Sequence, residues 1–399
     1  MKIVKRSLVE NSVHKYLEKA CLLSEKLKAN PELPYQEKQA SKEIAALLAD
    51  AGYQVEYPFM SRELGYDTAF KAVIKNGDGP NIAILTEYDA LPEVGHGCGH
   101  NLHGALSVLT GLALADLTEH FFGTVTVIGT PAEEENGAKV LMASNGVFDD
   151  MALAAMMHCW SGGVSQPNMD VLSLRCYIVE FFGTQAHAVA GPWQGKSALA
   201  AARKFLDLID ARRECFTPDI KVNSVILDGG LAPNIIPEYA RIRMEFRTDA
   251  RKKLEAVDEI IRKCAQGAAL ALDCSVTFTP GLSDFSDMVR VAPLEDEITA
   301  LLKQEGVLVG PVTYPIGSSD VGNVSYACPA IQPLISITEE SCALHTPEFR
   351  EATSRPEAHK ALEQGSMALC LLSLRMLNDE TYRNEVLTAF KQQRDMKTK

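Results

Sequence analysis

The chain has 399 residues, of which 46% are hydrophobic and 23% charged, and its formal net charge at pH 7 is −13. The length predicts about two or three domains with cores of their own and excludes a single small module. The composition is typical of a folded globular protein, and the negative charge disfavours nucleic acid and anionic lipid as partners.

The sequence contains no segment that we would predict to enter a membrane. Its longest apolar stretch, 105–117, is interrupted by polar residues and by Asp116, and it is shorter than the ~20 residues that span a bilayer. The N-terminal residues lead directly into polar helical sequence, without the apolar core of a signal peptide. Ten cysteines without a C-x-x-C pair predict reduced thiols, so we expect a cytoplasmic protein.

The first part of the chain alternates helical and strand patterns. Helices are predicted over 8–28 and 35–51, the second ending at Gly52. Short runs rich in Val, Ile and Ala then lead into polar loops, with helical patterns over 101–117 and 137–144 between them. This alternation predicts an α/β domain with a mostly parallel sheet covered on both faces.

A different order of elements follows, namely strand, helix, two strands, helix and strand. In the strand EYARIRMEFRT apolar and charged residues alternate, so one face of its sheet is predicted to contact water. This order is typical of a ferredoxin-like α+β unit. We therefore predict an inserted domain at 171–280 within a first domain of 1–170 and 281–399. The later part of that first domain reads as two helices, 294–304 and 356–377, and a strand around AIQPLISI.

Histidines follow several of the predicted strands, which is where α/β sheets bind ligands. In GHGCGHNLH, Cys98 and His100 are two residues apart, so on an extended segment both side chains point the same way and can bind one metal ion. Taken alone, a glycine-rich loop whose histidines, His96 included, cap the next helix is an equal alternative. His158 and His345, each taken singly, read more readily as ordinary loop imidazoles.

Three adjacent carboxylates, Glu133, Glu134 and Glu135, follow the strand GTVTVIG. Adjacent acids repel one another unless a cation or water stabilises them. An acidic first turn that complements a helix dipole is the simpler interpretation when the run is taken alone. Beside a cluster of Cys and His, one glutamate that binds a metal and a neighbouring glutamate that acts as a base account for the run better.

Seven segments occur in the order found in the aminoacylase and carboxypeptidase-G type metallopeptidases: YDALPEVGHGCGHNLHGA, GTPAEEENGAK, AAMMH, GTQAHA, PNIIPEYARIRMEFR, GSSDVGNVS and ALHTPEF. Over nearly its whole length the chain resembles the amidohydrolase branch of this family, which includes aminobenzoyl-glutamate hydrolases and β-alanyl dipeptidase-like proteins. The resemblance implies a zinc-peptidase-like catalytic domain, with the inserted domain serving dimerisation or as a lid.

The resemblance further implies hydrolysis of an amide bond in an N-acyl amino acid, an aminobenzoyl-glutamate-like compound or a small dipeptide. A dipeptidase or carboxypeptidase acting on β-alanyl or other short peptides is the alternative. The metal ligands that it implies would hold two divalent ions per subunit, Zn, Mn, Co or Ni, with the thiolate of the cysteine bridging them. These expected ligands are Cys98, His100, Glu134, His158 and His345.

Catalytic roles are implied for three further residues. Glu133 is expected to be the general base, Asp89 to orient a metal ligand, and His187 of GTQAHA to stabilise the oxyanion. The partners expected are a small-molecule amide substrate and a second copy of the chain, in a homodimer where each active site takes His187 from the other subunit. The residues expected to bind substrate are Asn234, Arg247, Gly317 and Ser318.

The sequence also departs from the family pattern. Two functions other than metal-dependent hydrolysis are alternatives. Asn101 stands where these amidohydrolases commonly carry Asp, so the substrate is not inferred from the auxin-conjugate or hippurate hydrolases. A cysteine hydrolase built on Cys98 and a nearby histidine would leave Glu134, His158 and His345 without a role. A metal-free binding subunit on the same fold is the non-enzymatic alternative.

Overall fold

A computed structural model describes residues 4–315 and 317–398. These residues form two compact units, and the predicted insertion at 171–280 lies inside the second. The first unit comprises 4–170, 288–315 and 319–398, and the second comprises 171–287 with 317–318.

The helices within the described residues agree with the predicted ones to within three residues at most ends. Four of these helices were not predicted, namely the short α3, α9 and α10 and the longer α12 that follows α11. The helices are α1 (Arg6–Ala29), α2 (Lys38–Asp50), α3 (Ser61–Leu64), α4 (His100–Asp116), α5 (Ala138–Ser144), α6 (Ala198–Arg212), α7 (Arg251–Ala271), α8 (Ala292–Gln304), α9 (Val321–Ala327), α10 (Pro347–Ala352), α11 (Pro356–Asn378) and α12 (Glu380–Thr398).

The strands are short in the first unit and longer in the second. In chain order they are β1 (Gln54–Glu56), β2 (Phe70–Asn76), β3 (Asn81–Thr86), β4 (Gly123–Gly129), β5 (Met151–Ala155), β6 (His158–Trp160), β7 (Ser173–Phe182), β8 (Ala186–His187), β9 (Lys221–Asp228), β10 (Ile235–Ile236), β11 (Tyr239–Thr248), β12 (Ser275–Pro280), β13 (Ala330–Ile331) and β14 (Leu334–Ser336).

The first unit is built on a six-stranded sheet in the order β1-β2-β4-β3-β5-β13. Strands β4, β3, β5 and β13 are parallel, whereas β2 and β1 continue the sheet antiparallel beyond β4. The runs in β3, β4 and β5 are almost wholly buried, as expected for a sheet covered on both faces. Helix α4 is buried continuously over 100–114 and packs against α1 and α11. The predicted α/β architecture is therefore confirmed.

The strand predicted around AIQPLISI is wrong in one respect, because the segment forms two strands in two different sheets. β13 pairs with β5 in the large sheet, and β14 pairs with β6 in a separate parallel ladder. Pro333, between them, has no N–H to donate to a ladder. Its carbonyl accepts a hydrogen bond of 2.8 Å from the backbone N–H of His158 instead. This break sets His158 in the short second ladder.

The second unit has an antiparallel sheet in the order β12-β7-β11-β9, covered on one side by α6 and α7. Numbered along the chain, this is the 4-1-3-2 order of a ferredoxin-like unit, as predicted. Along β11, Ala240, Ile242 and Met244 are fully buried, whereas Arg241 and Arg243 are exposed. One face of the sheet thus forms the core of this unit.

None of the helices in the described ranges is both long enough and apolar enough to cross a bilayer. All ten cysteines are free thiols, six of them buried.

The first turn of α4 approaches the end of β3 closely at Gly104. A Cβ added to Gly104 would lie 2.1 Å from the backbone oxygen of Glu87, so an alanine there forces the helix and the strand apart. We predict that Gly104→Ala lowers the free energy of unfolding by about 1–3 kcal/mol, measured by equilibrium urea denaturation.

The matched control is Gly267→Ala in α7, where a Cβ would meet nothing within 4 Å. Alanine costs less backbone entropy than glycine, so this variant should be more stable by about 0.5–1 kcal/mol. Equal effects of the two substitutions would contradict the close approach at Gly104.

Candidate active site

The candidate site lies where the parallel strands of the first unit end. Glu87 and Asp89 follow β3 directly, and Glu133 and Glu134 follow β4 after three intervening residues. Since β3 and β4 are parallel, their carboxyl ends meet at one edge of the sheet. This topology brings the acidic segments YDALP and PAEEE together.

The CGH segment enters helix α4 through a sharp turn. Gly99 has φ of +85°, in the left-handed region that favours glycine, and α4 begins at His100. A Cβ on Gly99 would also lie 3.0 Å from the Cβ of Cys159. The turn leaves Cys98 and His100 buried next to each other at the beginning of the helix.

The carboxylate of Asp89 connects two parts of the site. Its Oδ1 accepts a hydrogen bond of 3.0 Å from Nδ1 of His100, and its Oδ2 accepts one of 3.0 Å from the backbone N–H of Glu134. Burial opposes ionisation of Asp89, but His100 and these hydrogen bonds hold the pKa of its carboxyl below the usual value. With Nδ1 bonded to Asp89, His100 presents Nε2 to the site.

All five predicted metal ligands come together, in two groups that share Cys98. Cys98, His100 and His158 form one group, and Cys98, Glu134 and His345 form the other. Sγ of Cys98 lies 3.5 Å from Nε2 of His158, and Nε2 of His345 lies 3.5 Å from Oε1 of Glu134. Four of these side chains are largely buried, whereas that of His345 is 51% exposed.

The chemistry of these donors fits divalent metal ions. Nε2 of His100 and Oε1 of Glu134 are buried without a hydrogen-bond partner among the described residues, which is costly unless something binds them. Burial lowers the pKa of His158 to about 4, so its imidazole is neutral, as a metal ligand must be. Thiolate, imidazole and carboxylate together suit ions such as Zn²⁺, Co²⁺ or Mn²⁺.

Glu133 lies beside the two groups, and its Oε2 is 3.9 Å from Nε2 of His100. Burial and the charges of Glu87 and Glu134 raise the pKa of Glu133 well above the usual value, which favours a carboxylate that accepts protons. The backbone before it has φ of +61° at Ala132, whose N–H donates to Oε1 of Glu37 over 2.9 Å.

Glu37 was missed by the sequence analysis, although it fixes the turn that carries Glu133. It is fully buried, and its second oxygen accepts a hydrogen bond from Thr68. Burial and the charge of Asp89 raise the pKa of Glu37 to about 8. Its position at the start of α2, far from the other motifs, gives no sign of this role in the sequence.

A buried polar cluster behind the site was also missed. Nζ of Lys139 lies 2.6 Å from Oε1 of Glu87 and 2.6 Å from Oδ1 of Asp320, and all three side chains are inaccessible to solvent. Burial opposes the charge of Lys139, but the two carboxylates raise its pKa. His103 adjoins Glu87 and is fully buried. The spacing of His103 from His100, three residues along one helix, was a signal for the pair.

In the second unit, His187 and Asn234 lie side by side because β8 pairs with β10. The N–H of Ala188 donates to the carbonyl oxygen of Asn234 over 2.9 Å, and both predicted residues are exposed. Nδ1 of His187 accepts hydrogen bonds from the N–H groups of Val189 and Ala190. An Nδ1 that accepts places the ring proton of neutral His187 on Nε2.

Arg247 and Ser318 are also neighbours within the second unit. A guanidinium nitrogen of Arg247 lies 3.4 Å from Oγ of Ser318, and another lies 3.1 Å from Oε1 of Glu245. Gly317 accepts a backbone hydrogen bond from Leu172. Arg247 thus takes part in a half-buried ion pair and also faces a hydroxyl.

The surroundings of the remaining candidate residues do not favour a catalytic role. His96 is buried with its pKa lowered to about 3 by burial, and it belongs to none of the metal-ligand groups found among the described residues. The amide of Asn101 donates to Ser24 and Thr353, so it ties helices together. Burial and Glu134 raise the pKa of Cys98, whereas a cysteine nucleophile needs a lowered one. This environment disfavours the cysteine hydrolase.

Comparisons with known proteins agree with this arrangement. A family model described as peptidase family M20/M25/M40 matches residues 83–358. A mouse Xaa-Arg dipeptidase is 30% identical to the chain, over 94% of it and 89% of the relative. A p-aminobenzoyl-glutamate hydrolase polypeptide of Escherichia coli K12 is 30% identical over 62% of this chain and 54% of its own length.

Solved structures show the same fold. The aminobenzoyl-glutamate utilization protein of Klebsiella pneumoniae has a TM-score of 0.73 at 18% identity, covering 92% of this chain and 98% of that one. The YXEP protein of Bacillus subtilis, described as a dinuclear metal binding peptidase from the M20 family, has a TM-score of 0.68 at 21% identity, covering 91% and 99%. The chain therefore belongs to peptidase family M20/M25/M40, and it is a hydrolase that acts on amide bonds.

Proposed function

We propose that this hydrolase cleaves its substrate with two divalent metal ions, and that Cys98 would be a ligand common to both. His100 and His158 would complete the ligands of one ion, and Glu134 and His345 those of the other. The observation that carries the proposal is the membership of Cys98 in both three-donor groups. Two ions held by these neighbouring groups would supply Lewis acidity at one carbonyl.

The reaction is hydrolysis, in which water adds to the amide carbonyl and the C–N bond breaks to give a carboxylic acid and an amine. When bound, the ions would polarise the carbonyl and lower the pKa of the attacking water. Glu133 takes the proton from that water and returns it to the leaving amine nitrogen. Its raised pKa supports the first step, because a carboxylate with a higher pKa is a stronger base.

Two other side chains support this chemistry. Asp89 accepts from Nδ1 of His100 and so fixes which nitrogen of that ring faces the ions. His187 carries its proton on Nε2 when neutral, because Nδ1 accepts backbone hydrogen bonds, and an N–H donor is what a developing oxyanion requires.

The substrate class proposed is an N-acyl amino acid or a short peptide with a free carboxylate. The dipeptide and the p-aminobenzoyl-glutamate named for the relatives share an amide bond to an amino acid. Arg247, with Ser318 beside it, is the group that we propose to bind the carboxylate, since guanidinium matches its geometry. Hydrolysis of N-acyl amino acids, Xaa-Arg and β-alanyl dipeptides and aminobenzoyl-glutamate, with added Mn²⁺, Zn²⁺ or Co²⁺, tests the class and the metal.

We also propose a homodimer that forms through the second unit. Strand β9 is an edge strand of the four-stranded sheet, and its Val225, Ile226 and Leu227 are exposed. An apolar edge strand is a site for pairing with another chain, and the self-complementary partner is the same strand of a second copy. Val189 and Trp193, near His187 in the sequence, are 81% and 78% exposed and support a contact there.

Glu133→Gln should retain bound metal and lose about 10²–10⁴-fold in kcat, because only the proton acceptor is removed. The measurement is steady-state kinetics on the variant with its metal content determined in parallel. Glu135→Gln is the matched control, since Glu135 is exposed, and it should keep wild-type kcat. A Glu133→Gln enzyme with more than about a tenth of wild-type kcat would not have lost its general base.

Variants of the ligands should change the number of bound Zn²⁺ ions. Cys98→Ala, which removes the shared donor, should lower the content below that of His345→Ala or His100→Ala, each of which removes a donor of one ion. Metal analysis after equilibrium dialysis gives the stoichiometry. The control His14→Ala replaces an exposed histidine outside these groups and should bind as wild type does. Full occupancy in all three ligand variants would refute the two-ion site.

Mixed dimers test the contribution of His187 across subunits. Glu133→Gln and His187→Ala homodimers should both be nearly inactive. A heterodimer would place both lesions in one site and leave the other intact. Random re-association should therefore recover roughly a quarter of wild-type activity, because half of the dimers have one good site of two. Verified heterodimers without recovered activity would mean that His187 acts within its own chain.

A further inference from the structure

The first turn of α4 carries a second histidine, His103, that the proposed two-ion site does not use. It is inaccessible to solvent, and neither of its ring nitrogens has a hydrogen-bond partner among the described residues. Oε2 of Glu87 and Nε2 of His100 are likewise buried without partners. A buried polar atom without a partner is costly, so such atoms on three neighbouring side chains indicate that something binds between them.

The distances between these atoms suit a metal ion. Oε2 of Glu87 lies 3.6 Å from Nε2 of His100 and 3.7 Å from Nδ1 of His103. Donors of one tetrahedral shell, with bonds of about 2.1 Å, stand roughly 3.4 Å apart. These distances are too long for hydrogen bonds but close to the edges of a coordination shell. The three residues also meet the general geometric condition for a metal-ligand group.

The environment of Glu87 prepares it to bind a cation. Its other oxygen, Oε1, lies 2.6 Å from the ammonium of Lys139, which itself contacts Asp320. Lys139 therefore contacts Oε1 of Glu87 and leaves Oε2 near the two imidazoles. His100 and His103, three residues apart on α4, present their rings on one helix face, with centroids 4.8 Å apart.

We propose that Glu87, His100 and His103 form an additional metal position, the inner site, which shares His100 with a group that contains Cys98. Its two imidazoles and one carboxylate accept a divalent ion without a thiolate, and Mn²⁺ is the probe for such a site because the thiolate of Cys98 favours Zn²⁺ over Mn²⁺. His100 has one nitrogen free, because Nδ1 bonds to Asp89. An ion in the inner site and an ion on His100 beside Cys98 therefore exclude each other.

The inner site depends on the proposed two-ion site only through this competition for His100. The inner-site proposal predicts that the protein binds Mn²⁺ and Zn²⁺ at different positions. Zn²⁺ binding depends on Cys98, whereas one Mn²⁺ ion depends on His103 and Glu87.

The test measures Mn²⁺ and Zn²⁺ binding to the metal-free full chain by equilibrium dialysis, without substrate. His103→Leu and Glu87→Gln should weaken the binding of one Mn²⁺ ion tenfold or more and change Zn²⁺ affinity by less than about threefold. Cys98→Ala should lower Zn²⁺ content yet retain one Mn²⁺ ion. His96→Leu is the matched control, because His96 is buried in the same segment but belongs to no described metal-ligand group, and it should change neither affinity.

Thermal unfolding gives a second measurement. His103→Leu replaces an unpartnered buried imidazole by an apolar side chain, so the metal-free Tm should be equal to or above that of wild type. The rise in Tm on adding Mn²⁺ should shrink, since stabilisation follows the ratio of free ion to Kd. If His103→Leu does not fold, Mn²⁺ binding to Glu87→Gln tests the inner site instead. This variant should fold, because Lys139 keeps its contact with Asp320.

Other outcomes of the metal-binding measurements would overturn one proposal or the other. Unchanged Mn²⁺ affinity in His103→Leu and Glu87→Gln would overturn the inner site and leave water as the occupant. Equal losses of Mn²⁺ and Zn²⁺ would also overturn it and make both residues supports of the site at Cys98. Zn²⁺ content unaffected by Cys98→Ala would contradict the two-ion proposal alone, since the inner site is judged on Mn²⁺.

Discussion

The carboxylate of Asp89 connects segments that follow or begin three different elements of the first unit. It lies just after β3, accepts from the ring of His100 at the start of α4, and accepts from the backbone of Glu134 after β4. One carboxylate therefore sets the orientation of an imidazole and the position of the glutamate pair. This arrangement is possible because parallel strands deliver their following residues to the same edge of the sheet.

Burying so many ionisable groups in one place is expensive, and the structure shows how the cost is met. Behind Glu133, the ammonium of Lys139 offsets the charges of Glu87 and Asp320. Burial raises the pKa of Asp320 to about 6 even with Lys139 in contact, which measures how unfavourable the environment is for a bare carboxylate. Buried ion clusters seldom add stability compared with apolar residues, so the presence of this one beside the candidate site favours a functional reason.

The candidate residues of the two units differ in how firmly they are held. In the first unit the candidate metal ligands extend from strand ends and from the start of a buried helix, positions that are held rigidly by the core. In the second unit His187 and Asn234 lie on a two-residue ladder and are exposed. Groups that bind a metal need the fixed geometry that strand ends and a buried helix provide.

The sequence determined the elements and the chemistry of the site to a large extent. Helix and strand patterns are local, so α4, α7 and the strands of both units follow from apolar periodicity and capping residues. Cys98 and His100 are recognisable as candidate donors by residue type and by the ordered motifs, which indicate the family before any contact is known, but the turn at Gly99 rather than an extended segment brings the two side chains together. The sequence also indicates the insertion, because the order of predicted helices and strands changes along the chain.

Tertiary structure alone decided which distant groups meet. Glu87, His103 and Lys139 belong to separate elements, and their contacts depend on how β3, α4 and α5 pack, which no local pattern specifies. Likewise, Pro333 divides an apolar run into strands of two sheets, and only the available partners, β5 and β6, determine where each piece pairs. Propensity and spacing act within a few residues, whereas burial, and with it every altered pKa and unpartnered atom of the site, arises from contacts between segments far apart in the chain.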